Sequence, residues 1–186
     1  MNLVEPIRDP LLVKEIAQWL QRENERDYVF FMTGIYSALR VSDMLTLRVK
    51  DSKNLSIRIQ EQKTKKAKVM AINPALRKAL DNYTRGKAPE EYLFRSRQGY
   101  NQPIDRSTAY RIMQKIGDQF GISNLGCHSL RKTFGYHFYL QNCHEKGTGI
   151  YTLMKILNHS DPAITLRYIG ISYDEMSMAV SKFRIF

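Results

Sequence analysis

Hydrophobic residues recur at helical spacing along the first quarter of the chain. Asp9-Pro10 combines an N-cap residue with proline in the first turn, and the apolar positions that follow predict an amphipathic helix to about Glu23. A second helix is predicted from about 26 to 37, where an apolar run indicates a buried position. A third helix is predicted over about 41–47.

The pattern then changes from helical spacing to strict alternation. Leu55, Ile57 and Ile59 alternate with polar residues, which predicts a half-buried strand, and residues 69–72 form a second extended run. The intervening segment, 61–68, is dominated by lysine. These features predict an antiparallel hairpin with a long cationic turn.

The remainder of the chain is again mainly helical. Cap residues, prolines and apolar spacing predict a short strand over 91–95 and helices over about 74–85, 105–120, 129–142, 151–157, 162–168 and 173–183. The predicted fold class is therefore mainly α with a small antiparallel β-sheet (α+β). We expect one domain over 1–186, since no linker demands a boundary.

The charge of the chain narrows the class of partner. Lysine and arginine total 29 against 18 acidic residues, a net charge of +11 with a pI near 9.7. A domain this basic often binds nucleic acid. No apolar run reaches the roughly 18 residues that a membrane span needs. The N-terminus lacks a signal pattern, so we expect a cytoplasmic, nucleoid-associated protein.

Two cysteines raise the question of a metal site. Cys127 and Cys143 are each followed by histidine, His128 and His144, so a zinc-stabilised binding module is one alternative. Their spacing matches no common zinc motif, because paired ligands usually lie a few residues apart. We expect two reduced thiols and no metal.

Two basic residues stand out in the first half of the chain. Arg40 directly follows a strongly apolar helix, where an arginine must reach solvent, pair or bind an anion. A salt bridge to Asp43, three residues on, is the structural alternative. Lys63 opens the lysine-rich turn, where it either contacts phosphate or is simply solvated.

A second group of candidates lies in the C-terminal half. His128 and Arg131 are three residues apart at a predicted helix start, which places them on one face. His159 and Tyr168 follow, joined by a predicted short helix. The guanidinium fork suits phosphate, and a tyrosine hydroxyl with a pKa of about 10 needs nearby cations to act as a nucleophile. Each residue alone also has an ordinary structural explanation.

The order of these residues, rather than any one of them, is specific. ALRVSD, KTKK, HSLRKT and LNHSDPAITLRYIG contain Arg40, Lys63, His128 with Arg131, and His159 with Tyr168. In this order, over about residues 8–180, the chain resembles the catalytic domain of the tyrosine recombinase, or phage integrase, family. It departs from the family pattern at Ala38 and Asn158, where glycine is common, and at Asp43, where glutamate is usual.

The resemblance implies a reaction without metal or other cofactor. Tyr168 would attack a DNA phosphate and form a 3′-phosphotyrosyl intermediate, with Lys63 as general acid, although Lys65 and Lys66 remain alternatives for that position. His128 would assist proton transfer. Arg40, Arg131 and His159 would stabilise the charge on the transferred phosphoryl group.

The resemblance also implies partners. Double-stranded DNA would contact the basic residues Lys65, Lys66, Lys68, Arg106 and Arg111. Protomers would assemble on DNA as a tetrameric synapse with docking of the C-terminal segment. The recombined DNA would be that of a phage or mobile element. We expect the family's core-binding and arm-binding domains to be absent from 1–186.

Two alternative functions share these sequence features. A type IB topoisomerase-like enzyme would nick and close DNA with the same groups. An inactive accessory protein would only bind DNA, although every expected catalytic residue type is present.

Overall fold

The structure, a computed structural model, describes residues 4–142, 148–171, 178 and 180–184. Eight α-helices and one two-stranded sheet are assigned in this part of the chain. Their bounds are α1 Pro10–Glu23, α2 Glu25–Ser37, α3 Val41–Met44, β1 Ser56–Gln60, β2 Ala67–Ala71, α4 Pro74–Tyr83, α5 Arg106–Phe120, α6 Cys127–Asn142, α7 Thr148–Leu157 and α8 Pro162–Ile169. The predicted fold class, mainly α with a small antiparallel sheet, is confirmed.

The helix starts follow the capping residues that the sequence displays. Asp9 accepts a hydrogen bond from the Leu11 amide, and Asp161 accepts one from the Ala163 amide, each with proline in the first turn. Asn73 caps α4 in the same way. These side chains satisfy amide groups that a helix start leaves without partners.

The predicted hairpin is present, and its register places the lysines. β1 and β2 pair antiparallel, with Ile57 opposite Met70 and Ile59 opposite Lys68. Ile57 is buried, so Lys68 and Met70 lie on the inward face of the sheet. The turn between the strands carries the other three lysines of the segment.

Two predictions need correction or lie outside the described part. The strand predicted over 91–95 is not formed. Only isolated bridges pair Arg48 with Tyr92 and Arg95 with Pro103, because no continuous partner strand lies alongside. The last predicted helix, 173–183, falls largely on residues outside the described ranges.

The interior consists of two apolar clusters that meet at α6. The larger cluster surrounds α2, whose Phe30 and Phe31 are fully buried. The smaller joins α6, α7 and α8 through Leu153, Leu157 and Ile169. In the described ranges no helix has the length and apolar character needed to cross a lipid bilayer. The second cluster sets the position of α8, which carries Tyr168.

Gly135 allows α8 to pack closely against α6. A Cβ atom on Gly135 would lie 2.6 Å from Ile169 Cγ2, closer than two carbon atoms can approach. We expect Gly135→Ala to lower the free energy of unfolding by about 1–3 kcal/mol, as overpacking does. Urea denaturation measures this change.

The cause can be checked in a double-mutant cycle. Ile169→Leu removes the Cγ2 methyl while conserving volume, so it should recover part of the loss in the Gly135→Ala background. Strictly additive effects of the two substitutions would contradict the proposed contact.

Candidate active site

Arg131 is a buried charged side chain at the centre of the site. It lies on α6 and is only 3% exposed. Nη1 donates to the carbonyl oxygen of Ala38, where α2 ends, and Nη2 donates to that of Leu157, where α7 ends, at 2.6 Å. Its guanidinium also lies close enough to the Tyr168 hydroxyl for its charge to act on the pKa of that hydroxyl. Arg131 therefore joins the ends of α2 and α7 through hydrogen bonds and lies near Tyr168 of α8.

Tyr168 is half-buried beside this guanidinium. Burial raises the pKa of its hydroxyl, while Arg131 and Arg40 act in the opposite direction and the net shift is upward. Its ring packs edge-on against the His159 ring, with centroids 5.1 Å apart, and Lys132 Nζ lies 5.4 Å from the centre of the Tyr168 ring. The hydroxyl is thus protonated at neutral pH but surrounded by cations that stabilise its anion.

Arg40 does not form the salt bridge to Asp43 that the sequence offered as an alternative. Its Nη1 donates to Glu61 Oε1 at 2.7 Å, across the sheet end. Asp43 is fully buried, and its Oδ1 accepts a hydrogen bond from the Gln62 amide at 2.8 Å. Asp43 therefore anchors the start of the hairpin turn close to Arg40.

A cleft of about 710 Å³ brings several of the predicted residues together. Its lining includes Arg40, Lys63, Arg106, Tyr110 and His128. Arg131, His159 and Tyr168 do not line it, but Arg40 and Arg131 are close enough to both histidines to lower their pKa values. The cleft is therefore strongly cationic.

The two histidines share one electrostatic environment. Burial is the largest cause that lowers the pKa of His128, followed by the charges of Arg131 and Arg40. Burial and the same arginines lower the pKa of His159, whose Nδ1 lies 3.1 Å from Thr165 Oγ1. Both imidazoles are consequently neutral at pH 7, and one can accept a proton.

The predicted DNA-contacting residues divide into two groups. Lys65, Lys66, Arg106 and Arg111 are exposed. Lys68 is different, because its side chain is only 10% exposed and its ammonium lies 3.9 Å from Glu61 Oε1. The structure thus turns Lys68 away from the solvent position that a phosphate contact requires.

Other residues of the site were not anticipated from the sequence. Glu61 is 2% exposed and contacts Arg40, and Tyr110 lines the cleft one helical turn after Arg106. An acid beside a run of lysines was a visible signal for Glu61. Among described residues, no group of three or more histidine, cysteine or acidic side chains is placed to hold a metal. Cys143 and His144 of the zinc alternative lie outside those residues.

Fold and site together define a helical domain in which a cationic cleft lies near a tyrosine hydroxyl that feels the charges of two arginines. The model of the phage integrase family matches residues 10–175. A probable integrase/recombinase, YoeC of Bacillus subtilis, is 43% identical over 184 residues, which is 98% of each chain. A tyrosine recombinase of Pseudothermotoga lettingae is 32% identical and covers 97% of this chain, with 66% of its own length matched.

Solved structures agree on the fold. The XerA recombinase superposes with a TM-score of 0.72 at 22% identity, over 97% of this chain and 65% of that one. A lambda integrase dimer bound to a core site gives 0.68 at 14% identity, over 91% and 48%. The chain belongs to the phage integrase family of tyrosine recombinases, site-specific enzymes that transfer DNA strands.

The shared environment of the histidines gives a testable titration. We expect NMR titration to place the pKa values of His128 and His159 below the ordinary 6.5 or so. Arg40→Gln should raise the pKa of His128, because removing a nearby positive charge favours protonation. Arg22→Gln, a substitution on α1, is the control and should leave both titrations unchanged.

The lowered pKa values of His128 and His159 also make the free energy of unfolding depend on pH. The unfolded chain binds more protons than the folded one below about pH 6.5, so the free energy of unfolding should decrease on acidification through that range. An unshifted His128, or one unaffected by Arg40→Gln, would contradict the proximity of these groups.

Proposed function

We propose that Tyr168 is the nucleophile of DNA strand cleavage and that the cationic groups around it supply the catalysis. The observation that carries this proposal is the position of the Tyr168 hydroxyl near Arg131 and Arg40, whose charges act to lower its pKa, together with a cleft that contains Arg40, Lys63 and His128. A phosphate entering that cleft meets fixed donors on one side and a tyrosine hydroxyl nearby.

The chemistry is a balanced exchange of esters. Tyr168 Oη forms a bond to phosphorus while the bond to the 5′-oxygen breaks, which leaves a 3′-phosphotyrosyl link and a free 5′-hydroxyl. His128, neutral at pH 7, accepts the phenolic proton, and Lys63 donates a proton to the departing oxygen. Attack by another 5′-hydroxyl reverses these steps, so no nucleotide is consumed.

Stabilisation of the transition state falls to three residues. Negative charge on the non-bridging oxygens is offset by Arg40 and Arg131, whose guanidinium groups are held in place before DNA arrives. His159 adds a donor through Nε2 when Thr165 donates to its Nδ1. Preorganised donors act without the cost of reorientation during the reaction.

We further infer that the partner is double-stranded DNA and that residues 1–186 act as a single catalytic domain. Arg106 lines the cleft. Exposed Lys65, Lys66 and Arg111 follow the lining residues Lys63 and Tyr110 in the sequence, and all four cations would contact phosphates. Solved integrases with this fold are described as bound to DNA, one as a dimer. Such a partner places the protein on the nucleoid in the cytoplasm.

Assembly on DNA is part of the proposal. We infer a tetrameric synapse in which the C-terminal segment of one protomer docks on a neighbouring protomer. The DNA substrate would be that of a phage or another mobile element. Met178, Val180 and Phe183 are 54%, 76% and 67% exposed, an apolar set without cover in one protomer. An apolar groove of about 810 Å³ between α1, α2, β2 and α6 offers an acceptor surface.

A suicide DNA substrate tests the nucleophile. Duplexes nicked near candidate sites trap the cleaved strand, and wild-type protein should form a covalent adduct on a denaturing gel in the presence of chelator. Tyr168→Phe should abolish the adduct, because it removes the only atom that attacks. The control Tyr151→Phe removes an exposed hydroxyl and should have no effect. An adduct that persists in Tyr168→Phe would refute the assignment.

The salt dependence of DNA binding tests the surface. Arg106→Gln should weaken binding to all sequences and reduce the slope of log K against log salt by about 1. Lys68→Met should leave this slope unchanged, since the Lys68 ammonium is buried against Glu61. Equal reductions in both variants would show that Lys68 contacts phosphate.

A further inference from the structure

Glu61 is a buried carboxylate at the end of β1, and both of its oxygens are in use. Oε1 accepts a hydrogen bond from Arg40 Nη1 at 2.7 Å. Oε2 accepts one from Thr64 Oγ1 at 2.5 Å and lies 3.5 Å from Asn158 Nδ2. Burial alone would raise the pKa of Glu61, but these contacts and the nearby cations outweigh it and lower the pKa. Glu61 is therefore an anion at neutral pH.

These contacts connect three separate segments of the site. Arg40 is the N-cap residue of α3. Thr64 follows Lys63 in the hairpin turn, and Asn158 precedes His159 after α7. Asn158 adopts a left-handed backbone conformation with φ of 53°, so the chain turns sharply there toward His159. A single carboxylate thus holds the segments that carry an arginine, the turn lysine and the second histidine.

Lys68 is the buried cation paired with this carboxylate. Its Nζ lies 3.9 Å from Glu61 Oε1, has no hydrogen-bond partner among the described residues, and belongs to a side chain that is 10% exposed. The charged groups that act on it are the cations Arg40 and Arg131 and the anions Glu61 and Asp43. Burying an ammonium that has no hydrogen bond is costly, so apolar packing alone does not explain the buried position of Lys68.

The Glu61–Lys68 pair affects how strongly Arg40 can bind a phosphate. A full negative charge on Glu61 would compete with a DNA phosphate for the Arg40 guanidinium. The Lys68 charge offsets part of the Glu61 charge and so weakens that competition, while the Glu61 hydrogen bond still directs Arg40. Orientation is retained and the attraction for phosphate is preserved.

We propose that Glu61 is a positioning residue for strand cleavage and that Lys68 is its buried counter-cation. The pair sets Arg40 and the Asn158–His159 turn in their working arrangement before DNA binds. The inference rests on the proposed function, because cleavage is the step that it assists. Neither Glu61 nor Lys68 contacts DNA, and each acts through the residues it holds.

Glu61→Gln tests the carboxylate. Glutamine keeps the shape and one acceptor but removes the charge. We expect cleavage of the suicide substrate to slow by about tenfold to a hundredfold, the size of effect that misplacing a reacting group produces, with DNA affinity little changed. Glu91→Gln is the matched control, since Glu91 also accepts from an arginine, Arg95 at 3.1 Å, but remote from the cleft. Its cleavage rate should equal that of wild type.

Lys68→Met separates a positioning function from a structural one. Because the folded state lowers the pKa of Lys68, its charged form lowers the free energy of unfolding at pH 7, and methionine removes this cost while Arg40 still pairs with Glu61. The variant should therefore be as stable as wild type or more stable, yet its cleavage should slow by about tenfold. A merely structural lysine would give the opposite pattern, a less stable protein with normal cleavage per folded molecule.

The pH dependence of unfolding identifies the same group. Burial lowers the pKa of Lys68 to about 8. The unfolded chain then binds more protons than the folded chain between about pH 8 and 10.5, so wild-type stability should gain a contribution from Lys68 as pH rises through that window. Lys68→Met should lack this contribution, whereas its retention in Lys68→Met would overturn the placement of the ammonium.

Failure of the Glu61–Lys68 proposal can be distinguished from failure of the proposed strand cleavage by Tyr168. If wild type forms an adduct that Tyr168→Phe lacks, wild-type cleavage rates in both Glu61→Gln and Lys68→Met overturn the inference. If wild type forms no such adduct, the proposed function fails, and NMR of the Arg40 guanidinium decides the inference. Slow rotation of that group in wild type and in Glu91→Gln, lost in Glu61→Gln, supports it, and an unchanged signal overturns it.

Discussion

The burial of the Arg131 guanidinium is the constraint on which the rest of the structure depends. An unpaired charge in a protein interior is unstable, so every donor of this group needs an acceptor. Ala38 and Leu157 provide backbone carbonyl oxygens. Because these acceptors lie at the ends of α2 and α7, the two helices cannot move independently of α6 without leaving part of Arg131 unsatisfied. The same fixed guanidinium lies near the Tyr168 hydroxyl of α8 and acts on its pKa, so the packing of the helix ends and the electrostatics of Tyr168 depend on one group.

This constraint also explains where two helices end. A helix-ending carbonyl is free to bind a side chain because no later amide in the helix uses it. The backbone is left-handed at both places, at the acceptor Ala38 itself with φ of 52° and at Asn158, next to the acceptor Leu157, with φ of 53°. Both are positions where glycine is common in the family that the sequence resembles. Asparagine tolerates this conformation well, whereas alanine carries a cost of about 1–2 kcal/mol. The strained residue, Ala38, lies two positions before Arg40, which lines the cleft.

Local rules predicted most of the framework, but they could not assign partners. Capping residues and apolar spacing gave α1, α5 and α8 closely, because those signals act within one turn of helix. The partner of Arg40 was not predicted, since Asp43 is near in sequence while Glu61 is near only after the hairpin folds back. The strand expected over 91–95 failed for a related reason, because a strand requires a neighbour that sequence alone does not place.

The hairpin shows how one strand can serve two electrostatic purposes. Side chains of a strand alternate between faces, and the buried Ile57 sets which face of the sheet is inward. The register places Lys68 opposite Ile59 on that inward face, while Lys65 and Lys66 remain exposed in the turn. Once the two strands are aligned, the alternation of side chains between the faces of the sheet therefore distinguishes the buried Lys68 from the exposed lysines of the turn. A chain with net charge +11 has many cations to offer phosphate. Buried acceptors determine which of these cations have a defined geometry. Glu61 holds Arg40 and Lys68. Backbone carbonyl oxygens hold Arg131.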